Sequence, residues 1–157
     1  MGGYDIAGSG PGIIASHYAT KTSTSHLTDG DLFTFWGTIR IVSITGRITT
    51  AVEAGANTCK LSITPDALAP YDICAATDIA GMAIGTLLSV TGTAANGLVA
   101  TTAVGSIAPG QANAIVATCI SSGTITVTYS ATGTKDGVIV WEVYYIPLSV
   151  DGRLEAA

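Results

Sequence analysis

Apolar and polar residues alternate over short stretches along most of the chain, and turn residues separate these stretches. The clearest case lies at 59–64, where Cys59, Leu61 and Ile63 alternate with polar residues. Alternation with a period of two is typical of a strand that buries one face. The pattern predicts strands over 32–36, 37–45, 47–53, 59–64, 71–77, 86–91, 98–107, 114–121, 124–130 and 138–147. Gly46 is expected to separate the second of these strands from the third.

Short strands at this spacing, with turn residues between them, predict an all-β sandwich or barrel. The only stretch that competes as a helix is 79–90, and Gly81 and Gly85 inside it argue against one. The last strand, 138–147, is expected to lie inside a sheet. Its core face would carry Ile139, Trp141, Val143 and Tyr145.

The first 28 residues differ from the rest, because they show neither a helical nor a strand period. We therefore predict an extended N-terminal arm over 1–28 and one β domain over 29–157. Ordering a segment costs about 1–2 kcal/mol per residue in backbone entropy, so only an extensive partner surface would hold such an arm. The residues expected to anchor it at that interface are Tyr4, Ile13, Ile14, Tyr18, Lys21 and Leu27.

Charged residues are scarce in this chain, which limits how much of its surface they can cover. Charged residues make up 11% of the chain, and none occurs from Ile79 to Thr134, whereas a typical soluble domain has about 25%. Permanent subunit interfaces are depleted in charge. We therefore expect the protein to assemble, with the uncharged region largely buried between subunits.

The charge balance and the apolar pattern also bear on partners. The net charge of −5 argues against binding to nucleic acid or to an anionic membrane. Thr, Ser and Gly interrupt every apolar stretch, so no membrane-spanning helix is expected. The opening residues lack the basic and apolar regions of a secretory signal, which predicts synthesis in the cytoplasm.

Candidate chemistry is sparse. The potential general bases, His17 and His26, lie in or beside the arm. Asp29 and Asp31 could hold a hard cation or form a polar turn, and we favour the turn. The widely spaced cysteines favour burial as free thiols over metal binding, and the aromatic residues of 36 and 141–145 favour a core or interface over a sugar platform. We predict no enzyme, no metal and no cofactor.

The order of several segments resembles small virion proteins of tailed bacteriophages. The most distinctive part is VWEVYYIPL at 140–148, followed by a short Asp151-Gly152 tail. The similarity covers most of the chain beyond residue 20 and includes segments 21–23, 31–33, 37–46, 48–52, 59–61, 72–75, 78–79, 85–92 and 123–125.

This resemblance implies a capsid decoration (cement) protein with a single antiparallel, jelly-roll-like β-sandwich. Such proteins are commonly trimers on the capsid surface, so the implied partners are the major capsid protein and further copies of the chain. The second hypothesis for the function is a phage tail or fibre component, and the third is a carbohydrate-binding module. The resemblance carries over no functional residues, because the work of the family is done by surfaces.

Overall fold

A computed structural model describes residues 27–66, 68–90, 122–131 and 136–157, and the backbone of 17–22, 98–101 and 117–119. These residues form antiparallel strands and no helix, so they include no long apolar helix that could cross a membrane. The strands are β1 (His17–Thr22), β2 (Gly30–Trp36), β3 (Ile39–Thr50), β4 (Asn57–Pro65), β5 (Tyr71–Asp72), β6 (Thr77–Asp78), β7 (Leu87–Val90), β8 (Leu98–Thr101), β9 (Ala117–Cys119), β10 (Gly123–Ala131), β11 (Val138–Pro147) and β12 (Arg153–Ala156). The all-β prediction is confirmed for this part of the chain.

The strands form two antiparallel sheets. Sheet 1 has the order β1-β11-β3-β7-β8, and β9 also pairs with β3. Sheet 2 has the order β12-β2-β10-β4-β5, and β6 also pairs with β4. Both sheets contribute to one cluster of buried residues, so each sheet has a core face and an outer face.

The prediction for the last long strand is confirmed. β11 lies between β1 and β3 in sheet 1. Ile139, Trp141 and Val143 are completely buried, and Tyr145 is 3% exposed. Opposite residues of β3, such as Ile44 and Ile48, are buried on the same face.

The predicted break at Gly46 is wrong, because β3 runs without interruption from Ile39 to Thr50. Gly46 pairs with Trp141 of β11, and the indole ring occupies the space above the glycine. A Cβ at Gly46 would lie 2.9 Å from Cζ3 of Trp141. The glycine therefore provides room for the largest core side chain instead of ending a strand.

Three further elements differ from the sequence prediction. The predicted strand at 71–77 is divided into β5 and β6, because the consecutive residues Ile73 and Cys74 are both buried and break the alternation. β12 was not predicted, since only Leu154 of its four residues is buried. β1 falls in the segment for which no regular element was expected.

Two tyrosine hydroxyls connect the sheets through the core. The indole N–H of Trp141 in sheet 1 donates to the hydroxyl of Tyr129 in sheet 2 over 3.2 Å. The hydroxyl of Tyr145 in sheet 1 accepts from the backbone N–H of Leu154 in sheet 2 over 2.9 Å. Because buried polar groups need partners, these bonds fix how the two sheets meet.

Candidate interaction surfaces

The structure describes only some of the residues singled out for chemistry. The described residues contain no group of three His, Cys, Asp or Glu side chains that could hold a metal. Oδ1 of Asp29 accepts a hydrogen bond from the backbone N–H of Tyr129 over 2.6 Å, so this carboxylate holds the start of β2 against β10. His17 pairs with Tyr145 through the backbone, and His26 lies outside the described residues.

The aromatic residues considered as a sugar platform do not share one surface. Trp141 and Tyr145 are in the core. Trp36 lies on the outer face of sheet 2 with the guanidinium of Arg153 stacked 4.3 Å from its ring centre. Tyr144 lies on the outer face of sheet 1 and is 41% exposed.

Two buried thiols lie near each other, one in strand β4 of sheet 2 and the other in the connection between β5 and β6. Cys59 and Cys74 are free and buried, and Sγ of Cys74 accepts from the backbone N–H of Leu61 over 3.3 Å. Burial raises the pKa of Cys59, and the neighbouring Cys74 adds to this effect. Burial also raises the pKa of Cys74. Neither thiol is suited to nucleophilic chemistry, because the thiolate is the reactive form.

The outer face of sheet 2 is polar and its charges are paired. Hydroxyl residues lie opposite one another across its strands, as Thr34, Thr124 and Thr64 do. The ammonium of Lys60 lies 3.0 Å from the carboxylate of Asp72. Nε of Arg153 lies 3.6 Å from the carboxylate of Glu155. This face has the composition of a solvated surface.

The outer face of sheet 1 is different. We use this term for eleven residues of β3, β7 and β11 that point away from the core: Arg40, Ser43, Thr45, Arg47, Leu87, Ser89, Val138, Val140, Glu142, Tyr144 and Ile146. Five of these eleven are apolar or aromatic, and Val140, Ile146 and Leu87 are half-buried.

The charged side chains of this face have no ion pair among the described residues. Arg40, Arg47 and Glu142 contact no oppositely charged group there. Nε of Arg40 is buried and has no hydrogen-bond partner. An unpaired buried donor costs about 1–3 kcal/mol, so among the described residues the hydrogen bonding of Arg40 is incomplete.

The structure describes only some of the residues predicted to anchor the arm. Tyr4, Ile13 and Ile14 lie outside the described residues. In β1, Tyr18 pairs with Tyr144 and Lys21 pairs with Trp141 through the backbone. Leu27 is completely buried in the core of its own chain. The interface role of these six residues stays a prediction.

Sequence reasoning placed Val140, Glu142 and Tyr144 on one face of the last strand but did not recognise that face as a surface of interest. The signal was present, because 138–147 is apolar on both faces whereas a strand with one solvated face alternates. The pairing with Arg40 and Arg47 depends on the register of β3 with β11, which the sequence alone does not give.

Comparison with models of protein families, with curated proteins and with solved structures found no match to this chain. What the chain does must therefore be inferred from its surfaces and its composition.

Proposed function

We propose that this chain is a structural subunit of a tailed-bacteriophage particle that decorates and stabilises the capsid shell. The observation that carries the proposal is the outer face of sheet 1, where half-buried apolar side chains surround charges with no described partner. Such a face fits a subunit that completes its contacts by binding another protein. The charged fraction of 11% favours the same role.

In this proposal the two sheets stack as a single sandwich of jelly-roll type. The shared core and the hydrogen bond from Trp141 to Tyr129 support face-to-face packing. A rigid sandwich is suited to a shell subunit, because its outer faces keep a fixed shape for docking.

Within the arm over 1–28, β1 pairs with β11 of its own chain. The residues before β1 would reach a neighbouring subunit or the major capsid protein, and the copies would form a trimer on the capsid surface. The protein would act without a cofactor and would be made in the cytoplasm of the host bacterium.

The test uses the purified protein and the particles of the phage that encodes it. Labelled protein is mixed separately with heads stripped of decoration and with isolated tails, and co-sedimentation is measured. Saturable binding to heads, with density on the outer shell by cryo-electron microscopy, is the expected result. Binding to tails alone would replace capsid decoration by a tail or fibre role, and binding to neither would refute the proposal.

A further inference from the structure

One end of the molecule is built from connections between strands of both sheets. β2, β4 and β11 end there, and β3, β10 and β12 begin there. The strand register shows this, because Gly123 pairs with Phe35 and Pro65, Arg153 pairs with Trp36, and Pro147 pairs with Ile39. We call this the loop end and define it by residues 37–38, 66, 68–70, 122 and 148–152.

Exposed apolar side chains are concentrated at the loop end. Among the described residues outside the strands, four large apolar side chains are exposed. Three of them, Leu68, Leu148 and Val150, belong to the loop end. The fourth, Ile84, lies at the opposite end, where the next residue donates a backbone hydrogen bond to Ile48 of β3. Single exposed apolar residues are common, whereas their concentration at one place marks an interaction surface.

Hydrogen bonds fix the backbone that carries these side chains. The backbone N–H of Leu148 donates to the carbonyl oxygen of Thr38 over 2.8 Å, and the N–H of Thr38 donates to Oγ of Ser149 over 2.8 Å. The N–H of Asp66 donates to the carbonyl oxygen of Ser122 over 2.9 Å. The connections that carry Val150 and Leu68 adjoin β12 and β4, which are three strand spacings apart in sheet 2, or about 14 Å.

The charges of the loop end have one sign. Its charged residues are Asp66 and Asp151, and both are exposed. Arg40 and Arg153 are the nearest described cations, and they lie on the outer faces of the two sheets. Each exposed apolar position therefore has a carboxylate within two residues and no cation in its own connection.

The chain also enters β1 from this end. His17, the first residue of β1, pairs with Tyr145, which lies two residues before the end of β11. Sixteen residues precede β1, and Asp5 is their one charged side chain. A segment of this length reaches at most about 55 Å when fully extended. A partner that covers the loop end is therefore within reach of the start of the chain.

We infer that the loop end docks on a protein surface whose apolar sockets are flanked by Lys or Arg side chains. The inference rests on the proposed function and deepens it, because it orients the subunit with its loop end toward the particle. Sockets of this kind would bury Leu68, Leu148 and Val150, and basic side chains at their edges would complement Asp66 and Asp151. The same carboxylates would repel nucleic acid and anionic membranes.

Binding of labelled variants tests the inference, on heads stripped of decoration or on tails if the wild type binds those instead. Val150→Asp and Leu68→Asp each place a charge in the apolar contact, and each should weaken binding by at least about tenfold. Asp66→Lys reverses a charge at the edge of that contact. It should weaken binding by about three- to tenfold, and by less at high salt.

Two controls make the same changes at the opposite end. Ile84 is 59% exposed, close to the 64% of Leu68, so Ile84→Asp matches the apolar variants. Glu53 is an exposed acid that follows β3, so Glu53→Lys matches Asp66→Lys. Both controls should keep the affinity of the wild type within about twofold. Circular dichroism confirms the strands of each variant, and either apolar variant suffices if the other loses them.

The inference is overturned if the loop-end variants bind as tightly as the wild type, or if the controls weaken binding as much. In either case the proposed function stands, because the wild type still binds the particle. Loss of self-assembly by Val150→Asp in sedimentation would assign the loop end to a contact between copies and would also overturn the inference. A wild type that binds neither heads nor tails would refute the proposed function and the inference together.

Discussion

Gly46 and Trp141 face each other across β3 and β11, and this pair shows how one small residue determines the packing of a large one. A Cβ at Gly46 would lie 2.9 Å from the Trp141 ring and 3.0 Å from Cγ2 of Ile139. Neither neighbour is at the flexible end of a long side chain, and both are completely buried. An added Cβ at Gly46 could therefore be accommodated only by displacing packed core side chains.

Gly46→Ala should consequently destabilise the fold by about 1–3 kcal/mol, the usual cost of overpacking a core. Urea unfolding followed by Trp fluorescence measures this change. Gly30→Ala is the matched control, because a Cβ at Gly30 meets nothing within 4 Å. Equal stability of the two variants would show that the indole ring does not lie over Gly46.

The thiols of Cys59 and Cys74 make the free energy of unfolding depend on pH in the alkaline range. Burial raises the pKa of both above the ordinary value, so the folded chain keeps protons that the unfolded chain releases above about pH 8.5. The contribution is fully present below that pH and is lost as the pH rises. The free energy of unfolding should fall by about 1–3 kcal/mol between pH 7.5 and 9.5.

Urea titrations at the two pH values measure this loss, and the double variant Cys59→Ala/Cys74→Ala is the comparison. We expect the double variant to be less stable at pH 7.5 but to have a flatter dependence on pH. An equally steep dependence in the double variant would assign the effect to other groups.

At the scale of the element, β12 depends on one buried side chain and one hydroxyl. Leu154 is 4% exposed, and the hydroxyl of Tyr145 bonds both its backbone N–H and its carbonyl oxygen. The side chains of Arg153 and Glu155 are more than half exposed. Leu154 is therefore the side chain that packs β12 against the core.

Leu154→Ala should cost about 2–5 kcal/mol, because it empties a buried leucine site at the edge of sheet 2. Glu155→Ala, in the same strand, should change stability by no more than about 0.5 kcal/mol. Thermal unfolding of the two variants compares them directly. A similar melting temperature for both would mean that β12 adds little to the fold.

The same elements explain how much of the structure the sequence could predict. Strands that alternate cleanly, such as β4 and β10, were predicted to within two residues at each end. The core face of β11 was also predicted, because its apolar residues are bulky and regularly spaced. β12 was missed because one buried residue in four gives no period, and β3 was divided because a glycine usually marks a turn.

The candidate surface was harder to predict than the fold. Its charged residues come from β3 and β11, which are about a hundred positions apart in the chain. Their proximity depends on the strand order and on the register, neither of which is encoded in local alternation. Sequence reasoning could identify the apolar outer positions of β11 but not the arginines beside them.

For the whole molecule, the low charge is partly explained by where the uncharged region lies. Many apolar residues of the uncharged region, such as Ile79, Leu88, Val90 and Ile125, lie in the core of the chain itself. The core therefore accounts for part of the low charge. Burial of the rest of that region between subunits stays a prediction. The outer face of sheet 1 is the described surface that an assembly would cover.

The mass of the wild-type protein in solution tests the central claim, that this chain is an assembling structural subunit, most directly. Sedimentation velocity over a range of micromolar concentrations measures it without any variant or partner. We predict a complex of several copies that persists at the lowest concentration, because we expect an assembly to cover the apolar outer face of sheet 1. A stable monomer over the whole range would contradict the account.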